Sequence, residues 1–128
     1  MLIEVDFNSE EAIYIQVCNQ IIMGIAVSDI REGDSLPSVR QLAGEIGVNM
    51  HTVNKAYGVL KKEGYIIMDK RRGAVISIDP DKLEQLEQMH RQLSLVLARG
   101  YCKNISRQEV HRMVDDIFDR YEQEESLK

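Results

Sequence analysis

LAGEIGVNMHTV, residues 42–53, decides how this chain folds. Leu42, Ile46, Val48 and Val53 are apolar, Ala43 is small, and Gly47 stands between two short helix-like pieces. With the unit begun at Val39, Ala56 joins the same apolar set. A glycine adopts positive φ at little cost, so Gly47 supplies a tight turn. A small residue, a glycine four positions on and a branched apolar residue ten positions on allow two helices to cross steeply through a short turn. Ala43, Gly47 and Val53 meet those offsets, and the stretch reads as a helix-turn-helix. A plain helical hairpin would need neither the small residue nor the glycine there.

The flanking residues set the limits of the two helices. Pro37 holds Leu36 extended, and Ser38 is a good N-cap for a helix over 39–46. Asn49 caps the next helix, which carries Val53, Ala56, Tyr57 and Leu60 on one face and stops at Gly64. That helix opens on Asn49, Met50, His51 and Thr52. In a helix-turn-helix, the first residues of the second helix enter the major groove of DNA. Base edges there require hydrogen-bond donors and acceptors. Asn49, His51, Thr52 and Asn54 supply them, and Lys55 reaches phosphate.

Downstream the period becomes strand-like. Residues 65–68 and 74–78 are apolar around Asp69-Lys70-Arg71-Arg72-Gly73, which predicts a β-hairpin with a cationic tip. A helix-turn-helix followed directly by a hairpin is a winged helix. Lys70, Arg71 and Arg72, beside a glycine that permits close approach, suit phosphates or a narrow minor groove. A solvated turn is the plain alternative.

Upstream, Ile13, Tyr14, Val17, Ile21, Ile22 and Ile25 recur at helix spacing over 11–28. Ser9 is read as the cap of this helix, with Glu10 and Glu11 in its first turn. Residues 29–35 read as a turn. Asp79-Pro80 ends the hairpin and divides the chain into a DNA-binding domain, 1–79, and a helical region, 80–128.

Two helices are predicted in that region. The first runs over 81–99, with Leu83, Leu86, His90, Leu93 and Leu97 at spacings of three and four, Met89 and Val96 flanking them, and Gly100 as its end. The second opens on the capping box Ser106-Arg107-Gln108-Glu109, with Ile105 and Val110 placed to form a hydrophobic staple. Val110, Met113, Val114, Ile117, Phe118 and Tyr121 form its apolar stripe, and fraying is expected from Glu122 on. Two helices enclose too little interior to bury both stripes. Burial at roughly 25 cal/mol per Å2 then favours pairing with a second copy. The expected architecture is α+β and mostly helical: a winged helix-turn-helix domain followed by a two-helix dimerisation tail.

Charge narrows the partner. The 128 residues carry a net charge of −5, which by itself disfavours nucleic acid. Its distribution is uneven: residues 1–30 hold five acids and no base, whereas residues 31–72 hold eight bases against five acids. The basic segment is the one that contains the helix-turn-helix and the hairpin, and local charge sets a phosphate footprint. No secretory signal is read at the N-terminus. Gln16, Asn19 and Gln20 interrupt the longest apolar region, so no membrane span is expected. Cys18 and Cys102 lack metal or redox spacing and are expected as reduced thiols in the cytoplasm. Cys102 with His90 and His111 matches no established metal-ligand pattern. No nucleophile–base set or phosphate-cradling glycine loop is present, so neither an enzyme, a metal nor a cofactor is expected.

The run DSLPSVRQLAGEIGVNMHTVNKAYGVLKKEGYIIMDKRRGAVI, residues 34–76, resembles the winged-helix domain of GntR-family bacterial transcription regulators. Leu36-Pro37-Ser38, Arg40, Leu42-Ala43, Val48, Thr52-Val53, Ala56, Leu60, Glu63-Gly64 and Gly73 carry the resemblance. It implies DNA contacts by Ser38 and Arg40 of the LPSxR segment, by Asn49, His51, Thr52 and Lys55, and by the wing glycine, Gly73. Many members have arginine, and others proline, where this chain has Met50, so a bidentate guanine contact is missing at that point. The short two-helix tail resembles the YtrA subfamily. That likeness implies a homodimer without a roomy ligand pocket, acting as a repressor, often of transporter genes. A two-fold dimer predicts a pseudo-palindromic duplex operator with half-sites about one helical turn apart, or a multiple of that. Whether a small-molecule effector exists is left open. The alternative function is a winged-helix protein-interaction module that binds no DNA.

Overall fold

A computed structural model describes residues 2–126. Its elements are α1 (Ile13–Ala26), α2 (Val39–Ile46), α3 (Met50–Lys62), β1 (Ile66–Asp69), β2 (Gly73–Ile76), α4 (Lys82–Cys102) and α5 (Arg107–Ser126). They form two compact units that divide between Asp79 and Pro80.

The first unit closes around a core to which every element contributes. Val17 and Ile21 of α1, Leu42 of α2, Val53 and Leu60 of α3, and Ile66 and Ile76 of the hairpin are sealed from solvent. Such side chains each contribute about 1.5–3 kcal/mol by leaving water. Cys18 belongs to this core, where its Sγ donates to the Ala56 carbonyl at 3.3 Å. Burial, reinforced by the charge of Glu63, pushes this thiol up to about 11, so it stays protonated.

Two glutamines on α1 pin the N-terminal segment. Gln16 Oε1 accepts from Asp6 N–H at 2.8 Å, and its Nε2 donates back to the Asp6 carbonyl at 3.0 Å. One helical turn on, Gln20 makes the same reciprocal pair with Glu4. Side chains at i and i+4 lie on one face of the helix, and alternate residues of an extended chain lie on one edge, so the two periods match. Ile3 is thereby carried into the core.

Three local expectations need correction. Ser9 does not cap α1: its Oγ accepts from Glu11 N–H at 3.1 Å, and the helix starts after Ala12 with no side-chain cap. Glu10 and Glu11 therefore lie outside the first turn. Residues 33–36 are more than a turn. Gly33 N–H donates to the Ile76 carbonyl, Ile76 N–H to the Asp34 carbonyl and Leu36 N–H to the Ala74 carbonyl, each at 2.8 Å. Together with the bridge Ser35–Val75, these bonds lay the segment along the free edge of β2.

The third correction concerns Gly100, which lies inside α4. The helix ends instead on Asn104 at φ 65°, with Asn104 N–H donating to the Tyr101 carbonyl and Ile105 N–H to the Gly100 carbonyl. This is a Schellman end with asparagine in the left-handed position. A Cβ on Gly100 would come within 3.4 Å of the Ile105 Cβ, so the glycine makes room for the returning chain.

The second unit is built on two well-capped helices. Asp81 Oδ1 accepts from Glu84 N–H at the start of α4. Ser106 and Glu109 form the reciprocal capping box at 3.0 and 2.7 Å at the start of α5, and Ile105 and Val110 are half-buried beside it. Helix α5 is assigned as far as Ser126, through the start of the segment where fraying is expected; residues 127–128 lie outside the described range. No side chain of α4 is buried.

Candidate nucleic-acid interface

The helix-turn-helix is assembled by its own caps. Ser38 Oγ accepts from Gln41 N–H at 3.1 Å, which leaves the hydroxyl hydrogen available to an acceptor outside. Gly47 takes φ 73° at the end of α2, and both its N–H and that of Val48 reach the Ala43 carbonyl at 3.0 Å. Asn49 Oδ1 then caps α3 by accepting from His51 N–H at 2.7 Å. With Val53, Ala56, Tyr57 and Leu60 buried, α3 turns His51, Asn54, Lys55 and Gly58 to solvent. Thr52 is half-buried, and Met50, at the first helical position, is 46% exposed.

Lys55 is exposed, yet its ammonium is not free-standing. The Nζ lies 4.1 Å from the centroid of the Tyr14 ring on α1, a cation–π contact worth about 0.5–1 kcal/mol at exposed sites. Tyr14 was read from the sequence only as a core residue of α1, and spacing within one helix gives no sign of a contact to another.

The hairpin is closed by Asp69. Its Oδ1 accepts from Arg71 N–H at 2.8 Å and from Arg72 N–H at 3.0 Å, and Gly73 takes φ 75° opposite it in the register. These two bonds hold the Asp69 carboxyl below its ordinary pKa of 3.8. The tip presents Lys70 and Arg71 outward. Arg72, the third tip cation, is exposed as well, and its guanidinium donates to the Gly33 carbonyl and ties the wing back to residues 33–36.

Those residues run directly into α2. Ser35 pairs with Val75 of the wing, Ser38 caps α2, and Arg40 stands exposed in its first turn. Tyr57 of α3 donates its hydroxyl to the Pro37 carbonyl at 2.7 Å. Burial, with the Glu45 charge second, raises the pKa of that phenol, so it remains a donor. One short segment, 33–40, thus fastens the wing, the start of α2 and α3 together.

In the second unit the apolar stripes face outward. Leu83, Leu86, Leu93 and Leu97 of α4 are exposed, as are Met113, Val114, Ile117 and Phe118 of α5, while Val110 and Tyr121 are half-buried and His90 is exposed. Phe118 and Tyr121 meet edge to face at 6.3 Å. Leu95 is exposed on the far side of α4 from this seam. Among the described residues no group of three or more His, Cys, Asp or Glu side chains could hold a metal, and no helix is long and apolar enough to cross a membrane.

Two helices joined at a left-handed glycine, with a cationic two-stranded wing behind them, define a winged-helix protein of the DNA-binding regulator class. Residues 13–76 match the model of the bacterial regulatory proteins of the gntR family, and the chain belongs to that GntR family, where it is YtrA-like. It is 29% identical over 119 residues to the HTH-type transcriptional repressor YtrA of Bacillus subtilis, spanning 91% of this chain and 92% of the relative. The YtrA structure from Sulfolobus acidocaldarius, a GntR-family transcription factor, superposes with a TM-score of 0.65 at 37% identity, covering 80% of this chain and 99% of that one. A transcriptional antiterminator from Listeria monocytogenes EGD-e superposes with a TM-score of 0.82 at 28% identity, covering 91% and 90%. The chain is accordingly a DNA-binding transcriptional regulator and not an enzyme.

Proposed function

We propose that the chain is a homodimeric repressor that holds a pseudo-palindromic duplex operator in the cytoplasm. The start of α3 lies in the major groove, Ser38 and Arg40 engage the flanking phosphates, and Lys70, Arg71 and Gly73 of the wing follow the adjacent backbone or minor groove. The observation that carries this reading is the shared anchorage of all three elements on residues 33–40, through Ser35–Val75, Arg72–Gly33 and Tyr57–Pro37. A second copy covers the apolar stripes of α4 and α5, which the single chain leaves exposed. The repressor role follows the name of the Bacillus relative, and transporter genes are the expected targets through the YtrA-like tail.

Selection of bound fragments from random duplex DNA tests the reading. It predicts a two-fold motif whose half-sites lie about one helical turn, or a multiple of it, apart. Arg40→Ala should then weaken binding to all sequences alike and flatten the log–log salt slope by roughly one unit, as removal of one phosphate contact requires. Unchanged affinity in Arg40→Ala removes that residue from the interface. The net charge of −5 favours a second reading, a protein-interaction module without DNA. An absence of salt-dependent duplex binding would select it.

A further inference from the structure

The geometry points to Met50 as the residue that reads a thymine methyl group in the major groove. This inference rests on the proposed entry of the start of α3 into that groove. Its chemistry follows from how the neighbouring side chains are already employed.

Asn49 is constrained by its cap. An asparagine reads adenine by accepting from N6 and donating to N7 at once. Here Oδ1 is turned to His51 N–H at 2.7 Å, and swinging it toward a base would uncap α3. Only Nδ2 remains to face DNA, so Asn49 is a donor toward N7, O6 or O4 acceptors. His51, exposed and directly opposite the buried face, takes the most outward polar position.

Met50 is the residue left without a polar role. It carries no donor, and its thioether is a weak acceptor. One turn further along α3, Val53 is fully sealed, and Ala56, Tyr57 and Leu60 follow it into the core. Met50 stays 46% exposed although it is large and apolar. Among the groups that base pairs present in the major groove, the C5-methyl of thymine is the apolar one. A flexible, polarizable thioether is suited to cover it. An arginine at this position would reach for guanine instead. With methionine there, one step of each half-site should prefer T·A.

The test starts from the operator selected by the wild-type protein. Each thymine of a half-site is replaced in turn by deoxyuridine, which lacks only the C5-methyl group. At one position the wild type should lose about fourfold in affinity, the worth of one buried CH2 group at about 0.8 kcal/mol. Replacing that base pair by C·G should weaken binding, and 5-methylcytosine should restore part of the loss. Met50→Ala, which keeps a strong helix former at an exposed site, should bind more weakly and ignore the deoxyuridine replacement. Met50→Arg should select guanine at the step. A wild type indifferent to every deoxyuridine, or a Met50→Ala variant still sensitive to it, overturns the thymine assignment and leaves DNA binding intact. A wild type that selects no duplex overturns both.

Discussion

Val53, Ala56 and Leu60 on α3 and Leu83, Leu86 and Leu93 on α4 obey the same helical spacing and meet opposite fates. The α3 residues are wholly sealed, whereas Leu83, Leu86 and Leu93 remain 70%, 53% and 45% exposed. The difference lies in what surrounds each helix. Helix α3 has α1, α2 and β1 packed around it. Helix α4 has no buried side chain, although its ends are well capped by Asp81 and Asn104. Caps and spacing thus define a helix, while burial requires a partner surface. The winged unit contains its own partners; in the proposed dimer a second copy covers the tail's apolar faces.

The largest expected effect falls on the tail. Two-fold pairing would complete the burial of Leu93 in both copies; as each is 45% exposed in the single chain, that is worth about 1.5–3 kcal/mol in all, and Leu93→Glu replaces it with two unpaired charges in an apolar seam, so the variant should lose association. Light scattering should then report a dimer for the wild type and a monomer for Leu93→Glu, while Leu95→Glu, off the seam, should leave the dimer in place. A dimer that survives Leu93→Glu would break the contrast between the units. Next in size is the winged unit: Leu60→Ala should cost about 2–5 kcal/mol in urea unfolding without weakening the association of folded chains.

The smallest effect sharpens the wing. The Asp69 carboxyl titrates below its ordinary 3.8 because it accepts two backbone N–H bonds. The contribution of the ionised form is thus present above that value and is lost as pH falls through the lower folded pKa. The protection of the Arg71 and Arg72 amides, taken relative to the intrinsic exchange rate at each pH, should fall as the solution is acidified through that range. Asp69→Ala should abolish the pH dependence while leaving the core of the first unit protected.

How much of this was legible depended on range. The helix-turn-helix followed from residues close in sequence: Ser38, Gly47 and Asn49 cap or turn where their chemistry says they should. The capping box at Ser106 and Glu109 is local in the same way. What escaped the sequence was nonlocal. Residues 33–36 lie along the free edge of β2 through one bridge and three backbone bonds, and a four-residue segment has too few positions to display an alternation. Gln16 and Gln20 looked like interruptions of an apolar run, yet they hold the N-terminal segment. The capture of Arg72 by the Gly33 carbonyl spans 39 residues of chain. Gly100 misled because glycine both ends helices and admits close neighbours, and here Asn104, the less usual residue for the left-handed position, ends the helix. Among the proposed contact residues, exposure at His51 and Asn54 followed from the helical period, whereas the parking of Lys55 over Tyr14 did not.

The most direct test follows backbone amide resonances while the selected duplex is titrated in. If the start of α3 and the wing grip one DNA, the signals of Arg40, Met50 to Asn54 and Lys70 to Gly73 should shift together at a single stoichiometry, and those of the α4 seam should stay in place. Shifts confined to α3 with an undisturbed wing, or shifts centred on α4 and α5, would contradict a joint grip by helix and hairpin.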